Sequence, residues 1–212
     1  EYDYVPAVQT THSLMSKKIK GLFCAGQING TSGYEEAAAQ GLIAGINAVC
    51  YLQNKEPLTL SRESSYIGTL IDDLVTKDID EPYRMLTSRS EYRLLLRQDN
   101  ADERLTQLGH KFGLISDERF ENFKSKYSSI ENEIDRLKSL KITASDKTNE
   151  ILKPCGEFLN ESVKAAEVLM RPNVSYETLK KIDPETADLN YSPKIFEQVV
   201  LPVPRDPVNR YA

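Results

Sequence analysis

The chain has 212 residues, 40% of them hydrophobic and 28% charged, with a formal net charge of −5 at pH 7. That length can bury a sizeable core, and the acidic balance excludes a broad basic surface holding nucleic acid by charge alone, so any RNA contact has to be local. Three widely spaced cysteines, Cys24, Cys50 and Cys155, suggest neither a disulfide framework nor a zinc site and fit a reducing compartment, and no run of 18 apolar residues suggests a membrane span.

Residues 1–20 read as an extended segment with a polar connector, and His12 as an exposed loop histidine. Gly21 to Cys50 is the organising stretch. It predicts a short buried strand (Leu22, Phe23, Cys24, Ala25), a glycine-rich turn (Gly26, Gly30, Gly33) and a small-residue helix from about Tyr34 to Leu52. A strand, turn and helix in that order deliver unpaired N–H groups and the positive end of the helix dipole to a ligand. The glycines permit φ > 0 and a close backbone approach. The pattern is neither G-x-G-x-x-G nor a Walker loop, so ligand binding and a plain tight α/β crossing stand as equal readings. Within the helix, Gly41 and Gly45 imply close packing against a sheet or a ligand, and Cys24 and Cys50 read as core residues rather than nucleophiles. Glu35 and Glu36 suit the helix dipole. The run Gln53-Asn-Lys-Glu-Pro57 ends the helix and sets a boundary.

The next helix is expected from Ser64 to Thr76, capped by Ser64 or Ser65, with Asp72 and Asp73 about 100° apart around it and reading as a solvated edge. Ser88-x-x-Glu91 has the form of a capping box and predicts a helix from Arg89 that places Arg89, Arg93 and Arg97 on one face, with Arg84 upstream and Tyr83 and Tyr92 nearby. Four arginines against the single acid Glu91 suit phosphate, and the tyrosines suit unpaired bases. The alternative is an ion-pair network with Asp99, Asp102 and Glu103. Asn100 and Glu103 predict a further helix through Lys111, ending at Gly113 with His110 in its last turn. Phe120, Phe123, Tyr127, Ile130, Ile134 and Leu137 form an apolar stripe at helical spacing. Residues 141–160 read as a polar, broken loop. Ser162–Met170 and Tyr176–Ile182 read as short helices, the second capped by Ser175.

The run Ala25-Gly-Gln-Ile-Asn-Gly-Thr-Ser-Gly-Tyr-Glu-Glu-Ala-Ala-Ala-Gln-Gly, followed by Ser61-Arg62, Tyr66-Ile-Gly, Asp72-Asp-Leu, Glu81-Pro-Tyr-Arg-Met, Thr87-Ser-Arg, Glu91-Tyr-Arg-Leu and Asp99-Asn-Ala-Asp, resembles the tRNA uridine 5-carboxymethylaminomethyl modification enzyme family, GidA/MnmG. The resemblance covers roughly residues 1–199, densely to about Arg119 and more loosely afterwards. Arg171-Pro-x-x-x-Tyr-x-x-Leu continues it. It implies a mixed α/β, mostly α fold. Residues 1–56 would be the end of an FAD-binding α/β domain, 57–200 a helical domain facing RNA or a partner, and 201–212 a tail outside the family pattern. The family's enzymes are longer, which implies a piece lacking the dinucleotide-binding core and a terminal helical region, and inactive in isolation.

For function, the resemblance implies an FAD-dependent enzyme that modifies the wobble uridine of tRNAs together with a GTPase of the MnmE type. NADH is the reductant, a folate derivative the carbon donor, and the family's members tend to be homodimers. Gln27 matches a flavin-contacting position. Gly26, Gly30, Gly33, Tyr34 and Glu35 complete the expected cofactor-binding set, and Arg84, Arg89, Arg93, Arg97 and Tyr92 the expected RNA-binding set. No catalytic or metal-binding residue is assigned, because the family's proposed catalytic cysteines do not correspond to Cys24, Cys50 or Cys155. A folate- and FAD-dependent tRNA uridine methyltransferase, and a non-catalytic helical module for RNA or partner binding, are the alternatives. The wording of Val5-Pro-Ala-Val-Gln-Thr-Thr-His inclines the compartment toward the mitochondrial matrix, with the bacterial cytoplasm as the alternative.

Overall fold

The computed structural model describes residues 3–185; the tail at 201–212 lies outside them. Among the described residues the architecture is mostly helical, as the sequence leads one to expect, with one two-stranded sheet. The chain divides into two compact units, the first ending at Asp117 and the second beginning at Glu118.

In the first unit, α1 (Tyr34–Leu52) follows the glycine turn, whose Gly26–Asn29 forms a single 3₁₀ turn closed by Gly30 at φ +84°. The buried side of α1 carries Glu36, Gln40, Ile43, Ala44, Asn47 and Cys50, a 3–4 spacing in which polar residues occupy core positions. Gly41 and Gly45 lie instead on an open side with Ala38, Leu42 and Val49. A Cβ at either glycine would meet nothing within 4 Å, so nothing among the described residues makes the close approach expected there. The anticipated strand at Leu22–Ala25 is not formed. Phe23 makes one isolated antiparallel bridge to Met15, and Leu22 is exposed. A strand requires a neighbour along its length, and this segment has one only at that bridge.

α2 (Tyr66–Thr76) begins at Ser65, whose hydroxyl accepts from the amide of Gly68 at 2.9 Å. Its apolar side, with Leu70, Ile71, Leu74 and Val75, closes two small cores, one around Leu14, Ile43 and Leu58 and one around Ala7 and Tyr83. Pro57, where the sequence reading sets a boundary, lies inside this unit. Asn47 of α1 grips the next residue from both sides, donating to Leu58 O (2.9 Å) and accepting from Leu58 N (2.6 Å). α3 (Ala101–Lys111) has the expected extent and stops at Gly113, φ +76°. Asn100 does not cap it with its side chain, which is held by Arg104 and by Leu95 O.

The second unit opens with α4 (Asp117–Ser139), whose Ile130 and Leu137 are buried in an aliphatic core with Leu152, Leu159, Val168 and Leu179. Residues 141–160 are more ordered than their polarity suggests. β1 (Lys141–Ile142) pairs antiparallel with β2 (Val163–Lys164), and α5 (Asp146–Leu152) is capped by Ser145. A two-turn helix is too short for hydrophobic periodicity to register. The helix expected at Ser162–Met170 is confined to α6 (Ala165–Leu169), since β-branched Val163 is taken up in the sheet. α7 (Tyr176–Ile182), capped by Ser175, lies where expected.

Candidate functional site

The first candidate site is the glycine turn and the start of α1. Gly26 and Gly30 both have positive φ, a conformation that side chains disfavour. Gln40, fully buried, accepts from Gly26 N (3.2 Å) and Asn29 Nδ2 (3.0 Å) and donates to Thr31 Oγ1 (2.9 Å), so one amide fixes the shape of the turn from beneath. Gly33 is the N-cap and offers no side chain, leaving the leading amides of α1 uncapped by any side chain. Around that end Gln27 and Glu35 are exposed, and Tyr34 is 93% exposed. Glu36 stands in the first turn of α1, as the dipole reading expects, and has a further role. It is buried, its Oε1 accepts from Met85 N at 2.7 Å, and its Oε2 has no hydrogen-bond partner among the described residues.

The second candidate site is the arginine segment, and here the helix expectation fails. Thr87–Arg89 is one 3₁₀ turn and residues 91–95 are turns, so Arg89, Arg93 and Arg97 do not share a helix face. The Glu91 that a capping box needs is taken by Arg62. The Arg62 guanidinium donates Nε to Glu91 Oε1 and Nη2 to Glu91 Oε2, both at 2.8 Å, a side-on fork. Its Nη1 reaches Asp73 Oδ1 (2.6 Å) and Asp72 Oδ2 (3.0 Å), and Nη2 also donates to Arg89 O (3.1 Å). All the donor directions of the guanidinium are thereby used.

Asp72 and Asp73 are therefore not a solvated edge. Asp73 is fully buried between Arg62, Lys77 and the Tyr83 hydroxyl (2.8 Å), and Asp72 also binds the exposed His12 (3.0 Å). Burial raises the Asp73 carboxyl, but the hydrogen bonds from Lys77, Arg62 and Tyr83 outweigh it and leave the group below its ordinary value. Hydrogen bonding from Arg62 holds Glu91 down to about 2. Burial, and then the bond to Asp73, push the Tyr83 phenol up.

The expected RNA-facing residues thus separate. The Arg89 guanidinium stacks 4.5 Å from the centre of the buried Tyr83 ring, and its Nε is buried without a hydrogen bond among the described residues, which makes it an anchor of the segment. Arg97 pairs with Asp99 at 3.1 Å, as the network alternative expects. Arg84, 57% exposed and 3.7 Å from Glu36, and Arg93, exposed and without an ion pair among the described residues, are the two available to a ligand. Tyr92 is half-buried.

The two sites are joined. Tyr83 N donates to Gly30 O (2.8 Å), Ser32 N donates to Tyr83 O (3.1 Å), and Thr31 and Tyr83 form a parallel bridge. With Glu36 on Met85 N, the glycine turn and the approach to the arginine segment make one hydrogen-bonded strip. Sequence reasoning missed Arg62, Glu36 and Gln40 as determinants. The available signal was polar side chains at i and i+4 on the stripe of α1 that otherwise carries Ile43 and Cys50.

These features define a mostly helical α/β protein whose glycine turn and arginine segment share one compact unit. Residues 1–56 match the family model described as glucose inhibited division protein A, and residues 117–202 that described as tRNA modifying enzyme MnmG/GidA C-terminal helical domain. The chain belongs to the GidA/MnmG family.

It is 58% identical over 195 residues to the tRNA uridine 5-carboxymethylaminomethyl modification enzyme MnmG of Caldicellulosiruptor saccharolyticus, an alignment covering 92% of this chain and 31% of that enzyme. To the enzyme of the same description from Synechocystis it is 57% identical, over 85% of this chain and 29% of the relative. The form II crystal structure of Aquifex aeolicus GidA matches with a TM-score of 0.76 at 39% identity, covering 94% of this chain and 31% of that one. The chain spans less than a third of the length of these relatives. All three are bacterial, and nothing in them supports a mitochondrial compartment.

Proposed function

We propose that this chain is the part of a tRNA-modifying flavoenzyme that supplies one segment of the flavin site and a tRNA-facing arginine segment. The observation that carries this reading is the strip in which Gly30 and Ser32 bond to Tyr83 across a parallel bridge at Thr31 and Glu36 bonds to Met85, which ties the two candidate sites together by hydrogen bonds between two chain segments. FAD fits the first site. The leading amides of α1 have no side-chain cap and suit an electron-rich ring edge, and exposed Gln27 offers both a donor and an acceptor; Gly26 and Gly30 shape the turn through their positive φ, the space a Cβ would take being filled by Ala37 and by the Tyr4 ring. When bound, the flavin supplies the redox chemistry. This chain's own residues hold the edge of that site and orient RNA, and no acid, base or nucleophile is assigned among them. In the whole enzyme, acting as a homodimer with its GTPase partner, NADH and a folate derivative, the product is the 5-carboxymethylaminomethyl group on the wobble uridine.

The test is tRNA binding by the full chain, titrated against salt, for wild type and for Arg84→Gln/Arg93→Gln. These are the exposed members of the set, so the fold stays intact. The variant is expected to bind more weakly, with a salt slope shallower by about one for each phosphate that is no longer neutralised. Identical affinity and slope would remove the arginine segment from RNA recognition.

A further inference from the structure

Glu91 is an anomaly in a segment read as phosphate-facing. It is the single acid between Arg84 and Arg97, it is half-exposed, and its charge opposes a polyanion. What it does in the fold is specific. Both of its oxygens are engaged by Arg62, and the same guanidinium is fixed from behind by fully buried Asp73 and by Asp72. Arg62 Nη2 also bonds Arg89 O, just before Glu91 in the chain. The fork therefore grips the segment at two points, while beyond it Arg93 stays exposed and without an ion pair among the described residues. The backbone hydrogen bonds of residues 90–95 are those of turns, such as Leu95 N to Tyr92 O, so no regular ladder fixes them. The segment is tied on its far side by Asn100 Nδ2 to Leu95 O (2.9 Å), and on its near side the register of Tyr92 and Arg93 is set by the fork and by the stacking of Arg89 on Tyr83.

We propose that Glu91 is a positioning residue, a latch that binds Arg62 and so holds Arg89–Arg97 in the conformation that offers Arg93 to a tRNA phosphate. This rests on the reading of the segment as tRNA-facing. The Arg62 hydrogen bonds keep the Glu91 carboxylate ionised far below neutral pH, so the latch is charged in any binding buffer.

Charge alone and the latch predict opposite signs for Glu91→Gln. Removing a negative charge from a patch that meets a polyanion strengthens binding if only the potential matters. If Glu91 is a latch, the amide leaves one acceptor and turns an N–H donor toward the donors of Arg62. The fork opens, and affinity falls although the patch has become more positive.

The experiment measures tRNA affinity and its salt slope for the full chain as wild type, Glu91→Gln, Glu91→Asp and Arg93→Gln, with amide hydrogen exchange of residues 89–97 as the readout independent of tRNA. The expected result is that Glu91→Gln binds about five- to tenfold more weakly, with a slope reduced by about one like that of Arg93→Gln, and with faster exchange at 89–97. Glu91→Asp, which keeps the charge and an acceptor pair, recovers part of the loss. Binding by Glu91→Gln as tight as wild type or tighter, while Arg93→Gln is weakened, overturns the latch and leaves the phosphate-binding role of Arg93 standing. Wild-type binding by Arg93→Gln overturns that role, and the latch's part in recognition falls with it.

Discussion

The two compact units bury different chemistry. The first encloses Asn29, Gln40, Asn47, Thr69 and Asp73 at 1% exposure or less, and each of the longer polar side chains ties down a loop. Gln40 shapes the glycine turn, Asn47 grips Leu58, and Asp73 holds Arg62 and Tyr83. The second unit is packed with Leu137, Leu152, Ala165, Val168 and Leu179. Among its described residues the buried charge is Glu133, neutralised within its own helix by Arg136 and bonded by the Tyr176 hydroxyl. Directional bonds specify where a loop sits, whereas aliphatic packing stabilises without specifying. Both candidate sites lie in the unit that buries polar side chains beside its two small apolar cores, and those buried directional bonds are what give irregular segments one conformation.

The largest expected effect is the removal of a buried charge from the first unit. Asp73→Ala leaves Arg62, Lys77 and the Tyr83 hydroxyl facing an empty site, and is expected to cost about 3–5 kcal/mol in denaturant unfolding followed by circular dichroism, with faster exchange at residues 83–97. A cost below about 1 kcal/mol would mean that the network is no stronger than a surface ion pair. Leu179→Ala in the second unit is the matching apolar deletion. It is expected to cost about 2–5 kcal/mol and to raise exchange along α4 and α7. If it cost as little as a surface substitution, the aliphatic interior would not be the stabilising element of that unit.

Gly68→Ala comes next. A Cβ on Gly68 would stand 2.0 Å from Ser61 O and 2.6 Å from Ser61 C, backbone that has to shift. That shift moves Arg62, the neighbour of Ser61, so the variant is expected to lose about 1–3 kcal/mol and to loosen 89–97 without touching any ion-pairing residue. Unchanged exchange at 89–97 would show that the position of Arg62 does not depend on the seat of α2.

What is legible in the sequence follows the same division. α2, α4 and α7 are visible because an apolar period or a Ser cap lies wholly within each segment, α1 because a glycine turn leads into a run of small residues, and α3 through the Asn100 and Glu103 spacing although Asn100 does not cap it. The arginine segment is misleading because Ser88 and Glu91 have the spacing of a capping box while Glu91 is bound from 29 residues away by Arg62, a long-range bond that no local pattern encodes. Asp73 misleads for the same reason, its partners Arg62 and Tyr83 being brought together only by the fold. The glycine turn and the start of α1 are legible because a helix start and its turn are local, while the hydrogen bond that holds Glu36 comes from Met85, 49 residues away.

The smallest effect is acid sensitivity, and it separates the carboxylates of the latch from the phenols. In the folded chain Asp73 is lowered by Lys77, Arg62 and Tyr83 against the pull of burial, and Glu91 is held at about 2 by Arg62. The unfolded chain therefore binds protons first as pH falls. The stabilisation is complete above the ordinary carboxylate range of about 4 and is lost progressively toward pH 2. Because Glu91 is half-exposed, solvent screens its share to under about 1 kcal/mol. The Tyr176 phenol of the second unit is pushed up by burial and by Glu133, and Tyr83 is pushed up by burial and by Asp73. Their contribution is present below the ordinary phenol value of about 10 and is lost above it. Hydrogen exchange compared between pH 5 and pH 2.5, corrected for intrinsic rates, should therefore show residues 62–97 losing protection in the wild type. Glu91→Gln, already unlatched, should lose less of it over the same interval. Equal acid dependence in the two proteins would mean that protonation acts through Asp73 alone and that the Arg62–Glu91 fork is not the element acid undoes.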